Sequence, residues 1–401
     1  MKKPMEVKPK IETFARIKVM GIGGSGTTAV SRMAELGIRG VEFISVNTDA
    51  QALHNNQADK KVHIGKSITK GLGSGMNPEL GRQAAEESQE EIEEVISNAD
   101  MVFITCGLGG GTGTGAAPIV AELAKNRDIL TIAVVTKPFT FEGSKRKEIA
   151  EAGYENLKDK VDAIISIQND RILQIIDKKT SLIEAFTTVD EVLRQGIAGI
   201  SDLITTHGVV NADFADIRTI MQDAGTAMMG IGKASGEGRA ELAAKAAVNS
   251  PLLDMTIDGA QGVLFNITGG PDLGMFEIDE AAKVITKNVD PDARVKFGTV
   301  IDESMGDEIR ITVIATGFDE HNRRPSTVSF AHLSDDSALS ARQAQAPVSA
   351  PIDIAQEPVR PEVRKPLFSP KPVDPVPVQS NDEETDEDEL DIPAFIRKKM
   401  K

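Results

Sequence analysis

The chain of 401 residues has no tryptophan, one tyrosine (Tyr154) and one cysteine (Cys106). A single thiol excludes an intramolecular disulfide and fits a reducing compartment. Aromatic residues make up 4% of the chain against 40% for hydrophobic residues as a whole, so any core is aliphatic, and the length suffices for two domains. No apolar run approaches the ~20 residues of a membrane span. Met1 to Lys10 are polar and basic with no apolar segment behind them, so no leader is expected and the protein is read as cytoplasmic. Positive charge is in deficit: 45 Lys and Arg face 61 Asp and Glu, a net charge of −16. Most of such a surface repels a phosphate backbone, which argues against nucleic-acid binding. Residues 321–401 hold 11 basic and 14 acidic side chains, so the acid excess sits mainly in residues 1–320.

Glycine, by contrast, is concentrated. Residues 107–115 read Gly-Leu-Gly-Gly-Gly-Thr-Gly-Thr-Gly, between the apolar run Met101–Ile104 and the helical stretch from Ala116 to Lys125. Without Cβ atoms a backbone can press its N–H groups against anionic oxygens, and the helix start adds a positive dipole end. Thr112 and Thr114 are read as further hydroxyl donors. No lysine follows, as it would in a P-loop, so charge neutralisation is left to backbone dipoles and a metal ion. Cys106, beside this loop, is read as a small buried residue rather than a reactive thiol.

A second loop, Gly21-Ile22-Gly23-Gly24-Ser25-Gly26, has Gly-x-Gly-x-x-Gly spacing after a strand-like run. With Asp49 as a ribose acid it would suit an NAD-dependent oxidoreductase. A dinucleotide pyrophosphate needs one glycine loop, however, whereas a nucleoside triphosphate can use two. Strand-like runs at Ile17–Met20, Val41–Val46, Met101–Cys106, Leu130–Val135 and Ala163–Ile167 alternate with helical stretches, predicting an α/β fold with a mostly parallel sheet. Glycine, amide or acid residues follow each run, which points to one ligand site along the strands' carboxyl edge.

Leu182, Phe186, Val189, Leu193, Ile197, Ile200 and Ile204 recur at helical spacing and predict a buried central helix over 181–206. Gly196 and Gly199 within it suggest close approach of another backbone. Val263–Ile267, Arg294–Val300 and Ile309–Ile314, with helical patterns near 237–248 and 276–287, predict a smaller α+β domain. The expected organisation is a flexible arm at 1–14, a nucleotide-binding domain at 15–180, the central helix, a second domain at 207–320, a linker at 321–388 and a docking peptide at 389–401. The linker is expected to be disordered: nine prolines lie between Pro347 and Pro377, and eight acids fall within residues 382–391. In the final peptide Ile392, Phe395 and Ile396 share one helical face, Pro393 suits a first helical position, and Arg397 begins a basic end.

Gly109 to Gly115 match the signature of the tubulin/FtsZ superfamily of GTPases, and the resemblance runs over most of the chain. It continues through Asn47 to Leu53, Gly71 to Glu79, Pro138 to Arg146, Asn169 to Arg171, Asn211 to Asp216 and the tail from Asp391 to Phe395. The resemblance implies a tubulin-like fold that binds GTP and Mg²⁺. The phosphates would lie on Gly23, Gly24, Ser25, Gly26, Thr27 and Thr28 and on Gly109, Gly110, Gly111, Thr112, Gly113 and Thr114, with the 71–77 loop near the γ-phosphate. Glu142 and Arg146 would meet the ribose and phosphate side, and Asn169, Phe186 and Asp190 the guanine. Thr28 stands where the family has a base-contacting asparagine. Core packing is the competing reading for Phe186, which also belongs to the central helix's apolar stripe.

Asn211, Asp213 and Asp216 would orient the attacking water. On spacing alone, Asp213 and Asp216 read as helix-capping acids rather than catalytic ones. Residue 208 lies 22 positions beyond Phe186, roughly 33 Å along a helix at about 1.5 Å per residue. These acids would therefore serve the nucleotide of the next subunit in a head-to-tail filament. The resemblance also implies a bacterial division ring at mid-cell. There Ile392, Pro393, Phe395, Ile396 and Arg397 would dock a membrane-tethering adaptor and division regulators, leaving the membrane contacted only indirectly. A polymer-forming relative with little GTPase activity is the alternative within the family.

Overall fold

A computed structural model describes residues 15–318 except 39, 178, 207–209, 211, 254, 255 and 288. The N-terminal arm, linker and docking peptide expected from the sequence lie outside the described residues, as does Asn211. Among the described residues there are ten strands: β1 (Ile17–Ile22), β2 (Val41–Asn47), β3 (Lys60–His63), β4 (Met101–Gly107), β5 (Leu130–Lys137), β6 (Ala163–Gln168), β7 (Gly225–Ser235), β8 (Gly262–Gly269), β9 (Arg294–Ile301) and β10 (Glu308–Thr316). They form one sheet in the order β3-β2-β1-β4-β5-β6-β7-β10-β8-β9. Strands β3 to β7 pair in parallel, and β10 runs antiparallel to both β7 and β8.

Helices cover both faces of the parallel part, so its strands are apolar runs rather than alternating ones. Val19, Phe103 and Val134 face the helices Gly23–Leu36 and Leu182–Thr205. Met20, Ile104 and Val135 pack on the other side with Ala84, Ile92, Ala117 and Leu157. A third cluster joins β8 and β10 to the helices Arg239–Val248 and Met275–Thr286.

Strands β3 and β7 are additions to the sequence expectation. β3 is an edge strand reading Lys-Lys-Val-His, and β7 is built from Gly, Ala and Met without a β-branched run. Gly230 and Gly232 in β7 let the helix Arg239–Val248 lie against the strand: a Cβ at either would come 2.0 Å from the carbonyl of Ala247 or Ala243.

The central helix spans Leu182–Thr205, its start closed by reciprocal bonds between Ser181 and Glu184. Its buried stripe begins only at Ala185 and Val189. Leu182 is 64% exposed and Phe186 39%, so the first turns stand clear of the core, contrary to the sequence expectation. Gly196 and Gly199 also differ from expectation: they make room for side chains, Met229 of β7 (2.7 Å from where a Cβ would lie) and Thr312 of β10 (2.8 Å), not for another backbone. The helix ends where Thr205 packs on Gly40, immediately ahead of β2. It thus crosses from the carboxyl edge of the parallel strands to their amino edge.

Candidate nucleotide and catalytic site

Strands β1 and β4 are neighbours, and the strand order reverses between them, the place where an open parallel sheet leaves a crevice. Two helices start in that crevice, Gly23–Leu36 and Thr112–Lys125. Gly23 has φ +73°, and a Cβ there would lie 2.6 Å from the amide nitrogen of Gly113; one on Gly26 would lie 2.3 Å from the carbonyl oxygen of Thr105. Gly24 and Gly110 have open space before them, and Ser25 is exposed. Two helix N-termini with free amides thus face one gap, a geometry suited to phosphate oxygens.

The threonine hydroxyls do other work than the sequence suggested. Thr112 Oγ1 lies 2.7 Å from Thr48 Oγ1 and 2.6 Å from Ser74 Oγ, a buried hydroxyl chain tying three loops together. Thr114 Oγ1 accepts from the Gly109 amide at 2.9 Å. Thr27 and Thr28 donate to the Gly23 and Gly24 carbonyls of their own helix. The 71–77 loop is held at the same edge by the Gly73 amide, which donates to the Thr48 carbonyl, and by Ser74; Gly111 abuts the Gly75 carbonyl.

On the far side of the gap Glu142 accepts from the Phe139 amide and pairs with Arg146 at 2.9 Å. Arg146 lies against Gly109, and its Nε is buried without a partner. Asn169 follows β6 directly; its Oδ1, like Asn47 Nδ2 at the end of β2, is also buried and unpartnered. Orphaned buried polar atoms are rare in native folds, and these three line the same carboxyl edge as the glycine loops. Phe186 meets Phe139 edge to face, with ring centroids 5.7 Å apart. Asp190, one turn on, pairs with Arg32. Burial pushes the Asp190 carboxyl up to about 6, against the opposing pull of the Arg32 charge. Arg32, Thr48 and Ser74 were not singled out from the sequence; the signal for Arg32 was its position one turn beyond Thr28.

Asp49, the acid a dinucleotide site would use, caps the helix Ala50–His54 by accepting from the Gln51 and Ala52 amides at Oδ1. Cys106 is buried, and burial pushes its thiol up to about 12, so it is not a nucleophile at neutral pH.

Asp213 and Asp216 lie at the opposite edge. Asp213 caps the helix Phe214–Met221 by accepting from the Asp216 amide at 2.7 Å, and Asp216 pairs with Lys296 of β9 at 2.9 Å. In the same helix Arg218 donates to the Asp128 carbonyl, just ahead of β5. Among the described residues no group of three His, Cys, Asp or Glu side chains is placed to hold a metal ion, and no helix is long and apolar enough to cross a membrane.

The model of the tubulin/FtsZ family GTPase domain matches residues 16–177, and that of the FtsZ family C-terminal domain matches residues 225–319. The chain is similar to an empty FtsZ dimer from M. jannaschii, at 45% identity over 76% of this chain and 89% of that one, with a TM-score of 0.74. A mutant of M. jannaschii FtsZ matches at 45% identity over 76% and 91%, with a TM-score of 0.73. A CetZ protein from Haloferax volcanii, solved as a GTPγS-bound protofilament, shares the fold at 22% identity over 76% and 94%, with a TM-score of 0.64. Two glycine loops at a strand-order reversal, both family models and near-half identity over three quarters of the chain agree: it belongs to the FtsZ family and carries that family's GTPase domain.

Proposed function

We propose that the chain binds GTP between its two glycine loops, assembles head to tail and hydrolyses the nucleotide at the junction between subunits. The observation that carries this reading is the separation of the two halves of the site across the sheet. The glycine loops, Asn169, Phe186 and Asp190 gather at one end of the central helix, while Asp213 and Asp216 stand beyond the other. A helix of 24 residues is about 36 Å long, so the acids serve a nucleotide held by the next copy. Stacking that brings one edge against the other is heterologous and leaves an open filament. The apolar side chains Leu72 (86% exposed), Met76 and Phe141 (66% exposed) on the loops at the nucleotide edge suit burial in such a junction.

In this scheme the loops Gly23 to Thr28 and Gly109 to Thr114 hold the phosphates through helix dipoles and through those backbone amides not donated within the loops, the Gly109 amide going to Thr114 Oγ1; Glu142 and Arg146 hold the ribose and phosphate side, and Asn169, Phe186 and Asp190 the base. Asn211, Asp213 and Asp216 of the neighbouring copy orient the water. Phosphoryl transfer needs chiefly positioning and charge stabilisation. Mg²⁺, when bound, neutralises charge on the phosphate oxygens. Mg²⁺ keeps several waters and binds largely through substrate phosphates, so its ligands would be mainly phosphate and water oxygens.

Sedimentation of the full chain with GTP, GDP, ATP or NADH, with phosphate release followed in parallel, tests the reading. Pelleting and phosphate release selective for GTP support it. Pelleting without release would move the chain to the weakly hydrolysing relatives, and binding of NADH in place of GTP would overturn the reading. The filament would act in the cytoplasm at the mid-cell division ring, held there by an adaptor that Ile392, Pro393, Phe395, Ile396 and Arg397 recruit. A chain ending at Leu390 should then polymerise and hydrolyse GTP yet miss the division site.

A further inference from the structure

Thr28 and Arg32 lie one turn apart on the same face of the helix Gly23–Leu36. Thr28 turns its hydroxyl proton inward, to the Gly24 carbonyl at 2.9 Å, and so offers the crevice no donor. Arg32 reaches across to the central helix, where one guanidinium N–H group engages Asp190 Oδ2. Its side chain keeps about a third of its surface exposed (34%), whereas that of Asp190 keeps 13%. A guanidinium carries five N–H donors, so donors remain beside the carboxylate after this pairing. The half-exposed ring of Phe186 stands one turn before Asp190 on the same helix. A donor, an acceptor and an aromatic face therefore occupy one corner at the nucleotide edge.

The geometry points to Arg32 as a specificity-determining residue: Asp190 accepts from guanine N1–H and the exocyclic amine while Arg32 donates to guanine O6. The inference rests on GTP being the ligand of this crevice. Adenine is mismatched at both positions, because it offers an amino group where guanine has O6 and a bare ring nitrogen where guanine has N1–H. Binding it would leave desolvated groups unpaired, the kind of penalty that makes hydrogen-bonding sites strongly selective.

The test measures equilibrium binding to the full-length chain, the Arg32→Ala and the Arg32→Lys variants at pH 8, well above the range in which Asp190 takes up a proton. Four probes are used: GTP, inosine triphosphate (O6 present, amine absent), 2-aminopurine riboside triphosphate (amine present, O6 absent) and ATP. Arg32→Ala should weaken GTP and inosine triphosphate in parallel, by roughly 5- to 100-fold, the range expected for a lost guanidinium–guanine contact. It should leave 2-aminopurine riboside triphosphate nearly unchanged, and Arg32→Lys should recover part of the loss. Thermal unfolding without nucleotide checks that each variant is folded. Equal weakening of all four probes, or no weakening of GTP, would overturn the role given to Arg32. An intact chain that binds neither GTP nor ATP would instead refute the nucleotide reading on which it rests.

Discussion

Gly23 and Gly113 meet backbone to backbone, so closely that a Cβ on Gly23 would sit 2.6 Å from the Gly113 amide nitrogen. That contact sets two helix N-termini side by side. Gly23→Ala adds a left-handed strain at φ +73° to this clash, together costing about 1–3 kcal/mol or more. It should abolish detectable GTP binding by separating the loops, with a lowered melting temperature. Calorimetric titration of the folded variant checks it; normal GTP affinity would show that the loops need not touch.

Asp190 gives the site a pH dependence of known sign. Its carboxyl is raised from 3.8 to about 6 by burial, so below pH 6 it holds a proton where guanine also presents donors. GTP affinity should be flat above pH 7 and fall about tenfold per pH unit below about 6, while ATP affinity stays nearly constant. For the nucleotide-free chain the sign is opposite: between about pH 6 and 4 the folded state binds the proton more tightly than the unfolded, so this group adds stability as pH falls. Asp190→Asn should remove both trends and erode the preference for GTP. Binding measured from pH 5 to 8 decides.

Asp213 and Asp216 each have a structural task, which makes the catalytic claim separable. Asparagine caps a helix about as well as aspartate, so Asp213→Asn should change stability by less than about 0.5 kcal/mol. The Asp216–Lys296 pair is partly exposed, and such pairs contribute up to about 1 kcal/mol. Both Asp213→Asn and Asp216→Asn should bind GTP and pellet with it yet release phosphate at least tenfold more slowly. A stability loss without a rate loss would leave these residues as a cap and an ion pair only.

Cys106 should be silent. With its thiol buried and pushed up to about 12, an aromatic disulfide reagent should modify it only at the rate of unfolding, and nucleotide should slow that rate by stabilising the fold. Rapid labelling of the native chain would place the residue at an opening surface.

The parts of this architecture written in short-range patterns were legible beforehand. Ile17–Ile22, Met101–Gly107 and Leu130–Lys137 are β-branched runs buried on both faces, and the glycine loops follow them at fixed spacing. Strand β7 was not legible: its small residues fit a helix packed against it, a demand set by Ala243 and Ala247 far along the chain. Phe186 illustrates a limit of periodicity, which placed it on the apolar stripe but carried no information on where the core ends. Arg32 reads as a solvated helix residue until the central helix brings Asp190 against it. The hydroxyl of Thr112 reads as a ligand donor, and only the packing of three loops shows it bonded to Thr48 and Ser74 instead.

The central claim is that hydrolysis is completed by a second subunit. Asp216→Ala keeps the nucleotide edge, and Gly111→Arg, which would drive a side chain into the Gly75 carbonyl, loses it while keeping the acids. Asp216→Ala loaded with GTP labelled on the γ-phosphate is mixed with Gly111→Arg, and labelled phosphate is followed alongside co-sedimentation. Each variant alone should be inert, and the mixture should release label as the two pellet together. Copelleting without release of labelled phosphate would contradict the account.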